Sequence, residues 1–204
     1  MSRANGFSRR ALLAGAAALP AIRSVWAAEP GADHGRIRPP LPAPDLPLIA
    51  QDGVSTTLPR LLAQRVTALQ VMFTACRTTC PIQGAIFARV QKLMPDLVDR
   101  GIQLVSLSVD PEHDTGPVLA RWLRRFGARP GWRAAAPRPG DVPQVRAFFG
   151  AGRTASDNHS TQVHLLDRTG ALVWRTGELP EAEEVVALLR RIGTDGHGHV
   201  RDHE

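Results

Sequence analysis

The stretch Val66-Thr67-Ala68-Leu69-Gln70-Val71-Met72-Phe73-Thr74-Ala75-Cys76-Arg77-Thr78-Thr79-Cys80-Pro81 sets the reading of the fold. Val66 to Phe73 is mostly apolar and partly β-branched, which predicts a buried strand. Pro81 suits the first position of a helix. Behind it, Ile82, Ile86, Val90, Leu93 and Leu97 recur at spacings of four, four, three and four and form one apolar face. Both cysteines of the chain stand in the turn between strand and helix.

Downstream, Gly101 stops that helix, and Ile102 to Val109 alternates as a central strand ending at Asp110-Pro111. A second helix fits Pro117 to Phe126, with Trp122 and Leu123 on its apolar side. Gly127 to Gly140 reads as loop, interrupted by Pro130, Pro137 and Pro139, and a short helix fits Val142 to Phe149. Gly150 to Ser160 is a polar loop. Gln162 to Leu166 and Ala171 to Arg175 form a hairpin across Asp167-Arg168-Thr169-Gly170. A last helix runs from about Pro180 to Ile192, with acids in its first turns and Arg190 and Arg191 in its last. Upstream, Leu48 to Thr57 reads as a strand hairpin around Gln51-Asp52-Gly53. The order predicts an α/β domain over residues 48–192, a central mixed sheet with helices on both faces and an N-terminal strand hairpin. A strand feeding a cysteine turn that opens a helix is the thioredoxin-like layout.

Outside that domain lie three segments. Ser8-Arg9-Arg10-Ala11-Leu12-Leu13 is a twin-arginine pattern ahead of an apolar stretch, Ala11 to Ile22, too short to span a bilayer. Val25-Trp26-Ala27 is a cleavage site in form, so residues 1–27 read as an export signal to the periplasm, or as a membrane anchor if left uncleaved. Residues 28–47 are crowded by Pro39, Pro40, Pro42, Pro44 and Pro47 and read as an extended linker. Residues 193–204 form a polar tail with His197, His199 and His203, expected to be disordered.

The formal charge of +6 does not imply nucleic acid. Arg3, Arg9, Arg10 and Arg23 place four of those charges in the signal, and no basic stripe with interleaved aromatics follows. With apolar residues at 43% and charged residues at 22%, wholesale disorder and a polytopic membrane protein are excluded.

Two cysteines are too few for a disulfide scaffold. Four residues apart, Cys76 and Cys80 can close a local disulfide, act as a redox couple or converge on a metal. The helix start at Cys80 and the charge of Arg77 favour a thiolate, which both metal and redox chemistry require.

Around these residues the chain resembles the Sco/SenC family of cytochrome oxidase assembly proteins. The resemblance lies in Phe73-Thr-x-Cys-x-x-x-Cys-Pro81, in Leu107-Ser-Val-Asp-Pro-Glu-His-Asp-Thr115, and in Asp157-Asn158-His159-Ser160 with the strand and turn after it. It implies a thioredoxin-like fold binding one copper through Cys76, Cys80 and His159. Two thiolates and an imidazole suit Cu(I), and Cu(II) in a thiolate-rich site, though zinc accepts the same set. The implied function is a periplasmic metallochaperone delivering copper to a cuproenzyme client, the dinuclear copper centre of cytochrome c oxidase. The pair must first be reduced, so a periplasmic dithiol reductant is an implied partner. Ala75 and Arg77 depart from the usual family residues, and the tyrosine often found near His159 is missing. These changes leave the ligands intact but alter the surface that a client reads.

Asp110 and Asp157 read either as turn or cap residues or as outer-shell groups holding the cysteine loop or His159. His164 reads as sheet packing, His113 as a solvated loop residue. The competing function is a thiol-disulfide oxidoreductase acting on the client's cysteines. Against it stand the three-residue spacing between the cysteines and the absence of proline between Arg153 and Leu166, where redox thioredoxins carry a cis-proline.

Overall fold

The computed structural model describes residues 34–150 and 161–195. Eight strands make one sheet: β1 (Gly35–Pro42), β2 (Pro47–Ala50), β3 (Ser55–Thr57), β4 (Val66–Met72), β5 (Ile102–Ser108), β6 (Trp132–Pro137), β7 (Gln162–Leu166) and β8 (Ala171–Glu178). Their order is β1-β8-β7-β4-β5-β6-β2-β3. β4, β5 and β6 are parallel and every other pairing is antiparallel, so the sheet is mixed. Every residue of β4 and β5 is buried, as expected of parallel strands covered on both faces.

Five helices supply that cover: α1 (Leu58–Leu62), α2 (Thr79–Leu93), α3 (Gly116–Arg125), α4 (Val142–Phe149) and α5 (Ala182–Asp195). On one face α2, α3 and α5 pack through Phe87, Val90, Leu119, Trp122, Val185 and Leu189 against Ala68, Met72 and Leu104. On the other, α1 and α4 pack through Leu58, Leu62, Val145 and Phe149 against Leu69, Val71 and Leu107. The predicted α/β arrangement is therefore present, with β2 and β3 as the N-terminal hairpin. Polar side chains inside the sheet are matched across strands. Ser106 accepts from Gln70 Nε2 at 2.7 Å and from Trp132 Nε1 at 3.0 Å, which links β4, β5 and β6.

Three expectations need correction. The proline-rich stretch read as linker contains β1, which pairs with β8 from Gly35↔Arg175 to Pro42↔Ala171, so the sheet begins before Leu48. Its prolines are tolerated because β1 is an edge strand. The stretch read as loop contains β6, whose Ala134, Ala135 and Ala136 are small enough to be buried between α3 and α4. Finally, α2 starts at Thr79, and its core face runs through Cys80, Gln83, Gly84, Phe87, Val90 and Gln91. Ile82 is left 49% exposed. The face is rotated because two glutamines are accommodated inside. Gln91 accepts from Arg129 N at 2.9 Å and donates to Arg129 O at 3.2 Å, anchoring α2 to the loop before β6.

The export signal, His159, Asp157 and the three tail histidines lie outside the described residues. No described helix is long and apolar enough to cross a membrane.

Candidate metal centre

Parallel pairing puts the C-terminal ends of β4 and β5 side by side, with Met72 opposite Ser108. The chain leaving β4 turns at Phe73, whose carbonyl accepts from Cys76 N at 3.2 Å. It enters α2 with Cys80 in the first helical turn. No disulfide joins the two cysteines, and both are buried, Cys76 at 6% exposure and Cys80 at 0%. Cys80 N donates to Cys76 Sγ at 3.4 Å, and the Thr78 and Thr79 hydroxyls lie 3.6 and 3.9 Å from the same sulfur.

The two thiols differ in acidity. Burial pushes the Cys76 thiol up, but hydrogen bonds from the backbone N–H groups of Cys80 and Thr78, and from their side chains, outweigh it. They lower its pKa from 9.0 to about 6. Burial pushes the Cys80 thiol up to about 12, and the neighbouring Cys76 sulfur adds to the rise. At neutral pH the pair is one thiolate and one thiol. A helix N-terminus supplies the N–H groups that make this possible.

A carboxylate holds the turn. Asp114 is 1% exposed and lies in the connection from β5 to α3. Its oxygens accept from Thr74 N at 3.1 and 3.3 Å, from the Thr74 hydroxyl, and from Ser108 Oγ at 2.6 Å. Asp114 thus ties the cysteine turn to the end of β5. Asp110, whose sequence position allows either a turn role or an outer-shell role, makes none of these side-chain contacts. The Asp110 carboxylate instead meets the exposed His113 ring at 2.8 Å and raises its pKa. Asp114 was missed although a signal existed. Thr74 and Ser108 each follow the core of a parallel strand, and an acid six residues beyond Ser108 can reach both.

His164 is fully buried on β7, opposite Leu69 of β4, with its ring 5.0 Å from Phe149. Leu69 and Phe149 belong to the face covered by α1 and α4, whereas the cysteines belong to the face covered by α2. His164 is therefore a packing residue across the sheet from the sulfurs, as its strand position predicts. Among the described residues no three His, Cys, Asp or Glu side chains gather as a metal site. The described part of the centre is the two sulfurs alone, and His159 lies outside it.

The model of the family described as SCO1/SenC matches residues 43–193, which takes in all these groups. The chain belongs to the SCO1/SenC family. A curated relative in mouse (Mus musculus), "Protein SCO2 homolog, mitochondrial", is 28% identical over 134 residues, covering 58% of this chain and 50% of the mouse protein. This chain thus matches about half the length of that relative. Among solved structures, a SCO1/SenC family lipoprotein from Bacillus anthracis str. Ames aligns with a TM-score of 0.64 at 23% identity, over 76% of this chain and 98% of that one. ScoI of Bradyrhizobium japonicum with copper bound aligns with a TM-score of 0.61 at 22% identity, over 74% and 99%. These neighbours share the thioredoxin-like fold with this SCO1/SenC chain.

Proposed function

We propose that this SCO1/SenC chain is a periplasmic copper carrier that holds one copper through Cys76, Cys80 and His159 and passes it to a cuproenzyme. The observation that carries the reading is the pair of sulfurs one turn apart with unequal acidity. Cys76 is a thiolate at neutral pH, ready to capture a soft cation, and soft thiolates select Cu(I). Capture at Cys76 brings the cation next to Cys80, whose proton it displaces, since a coordinating thiol is deprotonated outright. Copper bound by the Bradyrhizobium relative supports the same cargo here. His159 completes the set as the imidazole donor, with Asp157 two residues before it as an outer-shell partner, and Asp114 stiffens the β5 side. Release follows by exchange, with thiolates of the client replacing Cys76 and Cys80 in turn. The client is the dinuclear copper centre of cytochrome c oxidase, reached after export through the twin-arginine signal of residues 1–27. A dithiol reductant keeps the pair reduced.

The test is titration of the reduced protein with Cu(I), beside Cys76→Ser, Cys80→Ser and His159→Ala. One equivalent is expected in the parent, loss in both serine variants and a strong loss of affinity in His159→Ala. Equal affinity in parent and His159→Ala removes the imidazole from the site, and equal affinity in all four proteins removes the carrier reading.

One observation favours a second reading. A thiolate beside a protonated partner thiol is also the arrangement of a dithiol reductant, with Cys76 attacking and Cys80 resolving. Catalytic turnover of a client disulfide by the metal-free protein would establish it.

A further inference from the structure

At the far end of the sheet from the cysteines, a cavity of about 650 Å³ opens between the start of β5, the β7–β8 turn and the end of α5. Asp99, Arg100, Gly101, Arg168, Arg190 and Thr194 line it. Three arginines and one aspartate are among its lining residues. Arg100 is neutralised by Asp96 at 2.7 Å. Among the described residues, Arg168 and Arg190 pair with no acid.

Arg168 is held in place. Its Nη1 donates to Gln64 O at 3.3 Å and its Nη2 to Arg100 O at 3.1 Å. Gly101, at φ +64°, leaves the room it occupies, because a Cβ there would lie 2.6 Å from Arg168 Nη1. A guanidinium fixed by two carbonyls keeps its charge and part of its donor fork for a ligand. Arg190 is exposed and makes no described hydrogen bond, so it is available to close on the same ligand.

We propose that this cavity binds the phosphate group of a small organic phosphate, with Arg168 as the fixed anchor and Arg190 as the mobile clamp. Paired guanidinium groups recognise phosphate through parallel charge-assisted hydrogen bonds. The cavity is roomier than a bare phosphate requires, and Asp99 can accept a hydroxyl of the attached group. The same chemistry is offered by a soluble glycerol phosphate and by the headgroup of phosphatidylglycerol. The site lies away from the sulfurs and does not depend on the copper reading.

The full-length chain titrated with glycerol phosphate by calorimetry, and sedimented with vesicles of phosphatidylglycerol or phosphatidylcholine, tests this. Glycerol phosphate binding that falls about tenfold in Arg190→Gln is expected, the loss of one charge-assisted pair. Arg168→Lys, which keeps the charge and loses the fork, weakens it as well. Retention on phosphatidylglycerol vesicles that is lost in Arg190→Gln identifies the headgroup as the source. Binding of the soluble probe without that retention identifies a free phosphate. Neither probe binding, or parent and Arg190→Gln binding both alike, overturns the proposal. Arg190→Gln touches no packed group, and unchanged alkylation of Cys76 confirms that it folds.

Discussion

Cys76 and Cys80 sit four residues apart and hold their protons very differently, because burial dominates at Cys80 while at Cys76 the hydrogen bonds from Cys80 and Thr78 outweigh it. In the metal-free, reduced protein, alkylation by iodoacetamide should fall on Cys76, with its rate rising through a midpoint near pH 6, while Cys80 stays unmodified up to pH 9. Peptide mass spectrometry over a pH series reads both, and a midpoint near 9 for Cys76 would sink the assignment. Asp114 is the residue-scale counterpart on the β5 side. Asp114→Ala leaves Thr74 N and two hydroxyls without their acceptor, and a buried unsatisfied group costs about 1–3 kcal/mol. Urea unfolding should show at least that loss, and Asp110→Ala, which removes only an exposed partner of His113, should show little. The sulfurs were legible in the sequence because cysteine announces its chemistry. The signal for Asp114, an acid six residues beyond Ser108, acquires its meaning only through the register that sets Met72 beside Ser108.

At the scale of one element, α2 decides where Cys80 points. Its helical period was legible from the apolar residues, but its buried face was not. Ile82 is exposed, while Gln83 and Gln91 are inside. A hydrophobic pattern cannot report a glutamine whose polar atoms are met by a neighbouring loop, as those of Gln91 are at Arg129. Gly84 marks the tightest approach. A Cβ there would lie 2.6 Å from the Phe126 ring, which is itself packed on Trp122 at 4.7 Å. Helix propensity alone says that Gly84→Ala gains about 1 kcal/mol. Overpacking loses about 1–3 kcal/mol and should win. Thermal unfolding should show a lower Tm for Gly84→Ala, with part of the loss recovered when Phe126→Leu is added. A raised Tm would mean that the ring swings aside freely.

For the molecule as a whole, the strand–cysteine turn–helix core could be read early because each strand there is one apolar run. β1 and β6 could not, since prolines and alanines carry no strand signal of their own and become strands only because β8 and β5 offer them edges. The same sheet encloses His164, where burial and then the charge of Arg175 push the imidazole down to about 3. Neither of its ring nitrogens has a hydrogen-bond partner among the described residues. The folded protein therefore keeps this ring neutral, while the unfolded chain protonates it at its ordinary value of 6.5. Stability from this group is fully present above pH 6.5 and is lost as pH falls toward 3, at up to about 1.4 kcal/mol per pH unit. His113 acts in the opposite sense, since Asp110 raises its pKa, but it is exposed and its effect is screened. Urea unfolding between pH 7 and pH 5, above the range where most carboxylates titrate, isolates the term. The parent should lose stability steadily over that window, and His164→Phe, which fills the same apolar site without a titrating group, should hold nearly level. Parallel slopes for the two proteins would show that the buried ring finds a partner able to carry its proton, and that this face of the sheet is not the dry layer its packing describes.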